Sequence, residues 1–228
     1  MFKNKKMIRI IAILIVASIG ISLIFKSKLT GKIIVKDWDN VYNENNILFH
    51  FSNADEEKLV ALDNLYNIKG KVSKEVYSLN KAIILAKFLN EIVSYDDVAN
   101  LKGTNGLDIL IEKEGKTKTS GRDMAIIYRD FLTIIGLKAR VGEFRKTNAK
   151  DINQKSYFVV EFWNDRENKW VMIDFMDCGY FENQGFLVGA MEVLSSKIAN
   201  YDYVGKSEKS DYINSIKGYL SINSLFWV

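Results

Sequence analysis

The sequence predicts an α+β fold in which helices pack on an antiparallel sheet, preceded by one transmembrane helix. Apolar residues recur at helical spacing over most of residues 54–136, and an alternating, strand-like pattern follows over residues 137–175. A run of helices followed by a run of strands is typical of the α+β class. A long uncharged apolar run near the start predicts the membrane helix. The 228 residues suffice for one sizeable domain.

The apolar run extends from Ile10 to Phe25 without a charge, and Met7 and Ile8 lengthen it beyond Arg9. This approaches the ~20 residues that a membrane span needs, so we expect an uncleaved signal-anchor helix. A cleaved signal peptide is the alternative, although such a peptide has a shorter apolar core followed by a small-residue cleavage site.

The predicted organisation has five parts. A cytoplasmic N-terminus (1–6) and the transmembrane helix (7–25) lead into a stalk (26–53), the folded domain (54–204) and a C-terminal extension packed on it (205–228). Basic residues are equally numerous on both sides of the apolar core, so the positive-inside rule gives no orientation. We expect the short basic N-terminus to stay inside, which makes the domain extracytoplasmic.

The composition argues against several classes of function. Eight Lys and Arg residues but two acidic residues lie in 1–39, so the folded part is slightly acidic despite the net charge of +4. A nucleic-acid partner is therefore not expected. The single Cys178 permits no intrachain disulfide. With His50 as the only histidine, neither a metal site nor a cofactor is expected.

Four segments before residue 137 read as helices. They are "ADEEKLVALDNLYNI", "SKEVYSLNKAIILAKFLNEIVSY" with Ser73 as N-cap, "GLDILIEKEG" closed by Gly115, and a buried helix that begins after Ser120 and is stopped by Gly136. Ser120 and Asp123 resemble a capping box. The charges of this last helix are predicted to be surface i,i+4-type pairs: Arg122, Asp123, Arg129 and Asp130.

Three strands are predicted after the buried helix. They are "LKARVGEF", "SYFVVEFWN" and "KWVMIDF", and their direct succession implies antiparallel neighbours. Trp163 and Trp170 are expected to pack on this sheet rather than to bind sugars. A further helix is predicted in "VGAMEVLSSKIANY", and the tail "DYINSIKGYLSINSLFWV" fits either a helix or an edge strand.

The series "GRDMA" (121–125), "GLKARVG" (136–142), "YFVVEFW" (157–163) and "WVMID" (170–174) resembles the bacterial transglutaminase-like, papain-related superfamily. The resemblance covers roughly residues 55–200 and implies a cysteine-protease-like fold. It also implies a catalytic Cys at the helix start, a His at the start of one strand and an Asp at the end of the next. Those positions hold Gly121, Tyr157 and Asp174 in this chain.

Two of the three reacting groups are therefore missing. In such a site a thiolate at a helix N-terminus attacks, a His transfers the proton, and an Asp orients the His. Gly121 has no side chain, and Tyr157, with an unperturbed pKa near 10, is a poor base near neutral pH. Moving Ser120 into the nucleophile position breaks the spacing to Ala125 and still leaves no imidazole. No catalytic residue is expected.

Two functions follow from this pattern. The first is a membrane-anchored pseudoenzyme whose degenerate cleft binds or scaffolds envelope proteins or peptides, with Asp174 either hydrogen-bonded to Tyr157 or capping a turn. The second is an active thiol hydrolase or acyl or amide transferase that uses Cys178 with Asp174. An isolated Cys is more typically a small buried hydrophobe, and His50 is expected to be packed or partly exposed rather than catalytic.

Overall fold

Helices come first in the part of the chain that the structure describes. This computed structural model describes residues 52–96, 103–111, 117–144, 156–195, 198–220 and 225–227. The predicted transmembrane helix, most of the stalk and His50 lie outside the described residues. Within the described ranges, none of the helices is both long and apolar enough to cross a membrane.

The first described helices are α1 (Glu57–Tyr66), α2 (Ile68–Lys71) and α3 (Ser78–Ile92). The expectation that Ser73 caps α3 is wrong, because the helix begins at Ser78. The Ser73 hydroxyl instead donates to the carbonyl of Gly70 at 2.9 Å, within the end of α2. A serine hydroxyl can donate to a free carbonyl at the end of a helix or accept from a free N–H at the start of one. Here Ser73 donates to the end of the preceding helix, α2.

A short parallel pair of strands follows α3. Strand β1 (Val93–Tyr95) pairs with β2 (Thr117–Thr119), and helix α4 (Gly106–Ile111) lies between them in the chain. The predicted helix in this region is confirmed, although its expected end at Gly115 lies outside the described residues. The β1–β2 pair was not predicted, since three-residue strands show no periodicity.

Helix α5 (Gly121–Ile134) is the central helix of the domain. Ser120 is its N-cap and accepts a hydrogen bond from the Asp123 backbone N–H at 3.2 Å, as predicted. Gly136 has a φ of +83°, the left-handed conformation that ends a helix without the penalty of a Cβ. Most of the helix is buried against α1, α3 and α4 and against the sheet.

The charges of α5 correct a prediction. Asp123 and Asp130 are buried rather than on the surface, because neighbouring helices cover most of the circumference of α5. Asp130 accepts the Gly106 backbone N–H at 2.7 Å and an Arg129 guanidinium N–H at 2.8 Å. The ion pairs of α5 therefore join adjacent residues. Asp130 also stabilises the start of α4 through its hydrogen bond with the Gly106 N–H.

The main sheet confirms the three predicted strands as an antiparallel meander of β3 (Ala139–Phe144), β4 (Tyr157–Asn164) and β5 (Lys169–Ile173). Trp163 lies opposite Trp170 across β4 and β5, and the two rings pack edge to face with centroids 5.7 Å apart. This confirms that the two tryptophans pack on the sheet.

The C-terminal part adds a second sheet and completes the first. Strands β6 (Tyr180–Asn183) and β7 (Phe186–Leu187) form a hairpin, and β8 (Asp202–Val204) pairs with β6. Strand β9 (Leu225–Trp227) pairs antiparallel with β3, which gives the first sheet the order β5-β4-β3-β9. The tail thus contains both a helix and an edge strand, which were predicted as alternatives. The helices of this part are α6 (Ala190–Ser195) and α7 (Lys209–Leu220).

Both faces of the main sheet are covered. Val160 and Phe162 of β4 pack in the large core with the helices, whereas Val159, the residue before Val160, packs in a second core with α6 and α7. This division follows from the period of two along a strand. Tyr157, the first residue of β4, packs against the second core.

Candidate functional site

Gly121, the first residue of α5, lies in the wall of a cavity. A Cβ at this position would lie 3.5 Å from Phe158 Cδ2 and 3.6 Å from Tyr95 Cε2, which are ordinary van der Waals contacts. Gly121 has no positive φ, so its backbone conformation does not demand glycine. The absence of a side chain at the helix start therefore leaves space that another residue could fill.

The cavity has a volume of about 490 Å³, which lies in the ~300–1,000 Å³ range of small-molecule and peptide-side-chain pockets. Its walls combine aromatic rings with hydroxyl groups and one arginine. The lining residues are Tyr95, Ser120, Gly121, Arg122, Ser156, Tyr157, Phe158, Met176, Ser215 and Tyr219. The residues Ser215 and Tyr219 come from α7, so the C-terminal extension forms part of the wall.

Tyr157, the first residue of β4, also lines the cavity, and its hydroxyl donates a hydrogen bond to Asp174 Oδ2. Its ring packs against Tyr219, with ring centroids 5.4 Å apart. Burial, and after it the adjacent Asp174 carboxylate, raise the pKa of the Tyr157 phenol well above its usual value. Tyr157 therefore stays protonated near neutral pH and serves as a hydrogen-bond donor rather than a base.

Asp174 directly follows β5 and is fully buried. Its Oδ1 accepts the backbone N–H groups of Met176 at 2.9 Å and Asp177 at 3.1 Å, while Oδ2 accepts the Tyr157 hydroxyl. The carboxyl thus both bonds to Tyr157 and caps a turn, the two roles that the sequence left open. Burial raises the pKa of Asp174 although these hydrogen bonds act in the opposite direction.

Around this pair lies an aromatic cluster that sequence reasoning missed. Tyr203 donates to Asp177, and its ring stacks on Tyr212 with centroids 3.9 Å apart and planes 9° apart. The Tyr212 hydroxyl is buried in this cluster, and burial, followed by the charge of the nearby Asp174 carboxylate, raises its pKa well above the usual value. The tail sequence contains several tyrosines, but no local pattern in it indicates which of them contact these aspartates.

Cys178 lies close to Asp174 in the chain but does not line the cavity. It is buried in the large core with a φ of +52°, and its sulfur accepts from Asn90 Nδ2 at 3.6 Å and donates to the Phe175 carbonyl at 3.8 Å. Burial raises the pKa of the Cys178 thiol, which lowers the thiolate fraction at neutral pH. These features disfavour Cys178 as a nucleophile.

Ser120 is the remaining hydroxyl at the start of α5. Its Oγ accepts the Asp123 N–H as a helix cap, and none of the described residues is a histidine that could activate it. No group of three or more His, Cys, Asp or Glu side chains within the described ranges is arranged to hold a metal ion. The cavity therefore offers hydrogen bonds, aromatic surface and one cation, but no activated nucleophile from the residues described.

No protein-family model and no curated protein matches the chain. Solved structures with similar folds include a "putative cysteine protease" from Cytophaga hutchinsonii (TM-score 0.42, 13% identity, 83% of this chain covered). Another is a "putative protease" from Parabacteroides distasonis ATCC 8503 (TM-score 0.35, 12% identity, 66% of this chain covered). The chain spans 58% and 29% of the lengths of those two chains. Neither likeness assigns a family or an activity.

Proposed function

We propose that the chain is a membrane-anchored, catalytically degenerate member of the transglutaminase-like superfamily whose cleft binds proteins or peptides of a bacterial envelope. In this proposal residues 7–25 anchor the chain and the domain lies outside the cytoplasm. The superfamily's nucleophile and base positions are those of Gly121 and Tyr157, and the domain acts by binding or scaffolding rather than by cleaving.

The observation that carries the proposal is the cavity at the start of α5. Gly121 and Tyr157 line the same cavity, and the Tyr157 hydroxyl is hydrogen-bonded to Asp174. A helix start, the start of β4 and the end of β5 thus meet at one place, as the resemblance requires. Among the described residues, this place presents neither an activated nucleophile nor a base that could activate one of its hydroxyls.

The cavity also favours binding. Its aromatic walls provide apolar area for a side chain, and the exposed N–H groups at a helix start favour a carbonyl or carboxylate oxygen. An extended peptide could therefore place one residue in the cavity without undergoing reaction. Residues outside the cavity would contribute the further contacts of a larger partner.

A peptide-retention experiment tests this function. The full-length chain, purified in detergent, is incubated with a defined pool of synthetic hexapeptides, and retained peptides are identified by mass spectrometry after size exclusion. The wild type is expected to retain a subset that Gly121→Trp loses, because the new side chain enters the cavity. Glu57→Trp is the matched control, since it adds the same side chain at an exposed position, the first residue of α1.

The same incubation tests the absence of catalysis. We expect every peptide of the pool to remain intact, since no described residue of the cavity can supply an activated nucleophile. Equal retention by the wild type and Gly121→Trp would contradict binding in the cavity. Cleavage products that disappear in a Cys178→Ala variant would support the thiol hydrolase instead.

A further inference from the structure

Among the described residues, the cavity wall contains a positively charged side chain but no negatively charged one. The positively charged side chain is that of Arg122. Arg122 is the second residue of α5, so its guanidinium lies at the end of the helix where the macrodipole is positive. The buried carboxylates nearby, Asp123 and Asp174, face other partners and are not part of the wall.

The Arg122 guanidinium retains donors for a ligand. Its side chain is 44% exposed, and its Nη1 lies 3.6 Å from Asp123 Oδ1, beyond the usual range of a direct hydrogen bond. A guanidinium presents five N–H donors in a planar fork that matches a carboxylate. The contact with Asp123 orients Arg122 without using up this capacity.

The remainder of the wall suits an apolar group. Phe158 and Met176 are partly buried, Tyr219 packs on Tyr157, and Tyr95 is 51% exposed. The Tyr157 hydroxyl is already committed to Asp174, so its ring contributes apolar surface to the cavity rather than a free polar group. A bulky apolar side chain would therefore bury area here at about 25 cal/mol per Å².

From the Arg122 cation beside aromatic walls, we infer that the cavity binds the C-terminal residue of a peptide, its α-carboxylate on Arg122 and its apolar or aromatic side chain against Tyr95, Phe158 and Tyr219. This inference rests on the proposed function and deepens it, because it names the part of the peptide that is recognised. An internal peptide segment offers no full negative charge from its backbone, whereas a free C-terminus offers one in every sequence.

Two matched probes test the inference: acetyl-Ala-Ala-Phe with a free carboxylate, and the same peptide as its C-terminal amide. Binding to the full-length chain in detergent is measured by calorimetry. The acid is expected to bind at least tenfold more tightly than the amide. Arg122→Gln should reduce the affinity of the acid to that of the amide while leaving the amide unchanged, and Arg166→Gln, at an exposed arginine outside the cavity wall, should change neither.

The possible failures are distinguishable. If the amide binds as tightly as the acid, the carboxylate assignment is wrong although the proposed peptide-binding function stands. If 3-phenylpropionate, tested in parallel, binds as tightly as the acid peptide, the ligand is a small aromatic acid and the assignment to a peptide terminus is overturned. If neither peptide binds, this inference is wrong, and the retention of peptides from the hexapeptide pool still decides the proposed function.

Discussion

The Tyr157 hydroxyl and the Asp174 carboxylate are joined by a hydrogen bond between the start of β4 and the end of β5. Asp174 is fully buried, and its other oxygen holds the two backbone N–H groups of the turn that follows. The Tyr157 hydroxyl therefore supplies the hydrogen bond to the remaining carboxylate oxygen, Oδ2. This pair connects the stability of the domain to the geometry of its candidate site.

Removing the phenol oxygen should destabilise the domain. Tyr157→Phe leaves Asp174 Oδ2 buried without its donor, and an unsatisfied buried polar group costs about 1–3 kcal/mol. We expect the free energy of unfolding, measured by urea denaturation in detergent, to fall by about this amount. Tyr77→Phe is the control, because Tyr77 is 62% exposed and lies outside the cavity wall. Equal effects of the two substitutions would contradict a stabilising role of the Tyr157–Asp174 bond.

The burial of Asp174 should appear in the pH dependence of stability. Burial raises the folded-state pKa of Asp174 above 3.8, so the wild type loses stability as the pH rises from about 3.8 through the raised pKa. Asp174→Asn cannot ionise and does not lose this contribution. The difference in unfolding free energy, wild type minus variant, should therefore decrease across this interval and then become constant.

The control for this pH series is Asp165→Asn, in the exposed turn between β4 and β5. Asp165 lies on the surface, so its substitution controls for the loss of one carboxyl group from the chain. A flat difference for Asp174→Asn would show that the buried carboxyl has no raised pKa in the folded state.

Much of this arrangement could be predicted from the sequence, for identifiable reasons. Helix α5 has a cap at Ser120 and a stop at Gly136, and both are local signals that depend on one or two residues. The strands β3, β4 and β5 alternate between two cores, so their apolar residues follow a strand pattern. That Gly121 and Tyr157 line one cavity could be predicted, because the resemblance assigns them to a helix start and a strand start that lie side by side.

Other features depend on contacts between distant segments and left no local signal. Asp130 was predicted to be a surface charge, because the sequence of its own helix does not show that the start of α4, at Gly106, packs against it. The bond of Tyr203 to Asp177 joins two segments whose pairing only the folded chain specifies. The contribution of α7 to the cavity through Ser215 and Tyr219 could not be predicted, since the tail alone does not show where it packs.

Cys178 should react slowly in the folded protein. Its sulfur is buried and hydrogen-bonded to the Asn90 side chain and the Phe175 carbonyl, and burial raises the pKa of its thiol. Alkylation by iodoacetamide at pH 7 is expected to be slower than that of a free thiol such as N-acetylcysteine, and to reach the free rate in urea. Mass spectrometry of the intact chain gives both rates. A native rate above that of the free thiol would favour the hydrolase that uses Cys178.

Introducing a cysteine at position 121 and a histidine at position 157 should create an activated thiol. A Cβ at position 121 meets Phe158 and Tyr95 at ordinary contact distances, so the site accommodates a Cβ, and Gly121→Cys places a thiol at the start of α5. Tyr157→His places an imidazole beside Asp174, which accepts the hydrogen bond of the present phenol. In a Cys178→Ala background the introduced thiol is the only one in the chain. The helix start and an imidazolium should together lower its pKa below the ~8.5 of a free cysteine.

The measurement is the rate of iodoacetamide alkylation between pH 5 and 9. At pH 7 the variant carrying both Gly121→Cys and Tyr157→His should react on the order of tenfold faster than Gly121→Cys alone, because more of its thiol is ionised. Adding Asp174→Asn should remove part of this gain, since the imidazole then loses the carboxylate that orients it. If Tyr157→His gives no gain over Gly121→Cys, the start of β4 does not present its first side chain to the start of α5. The assignment of Gly121 and Tyr157 to the nucleophile and base positions would then be wrong.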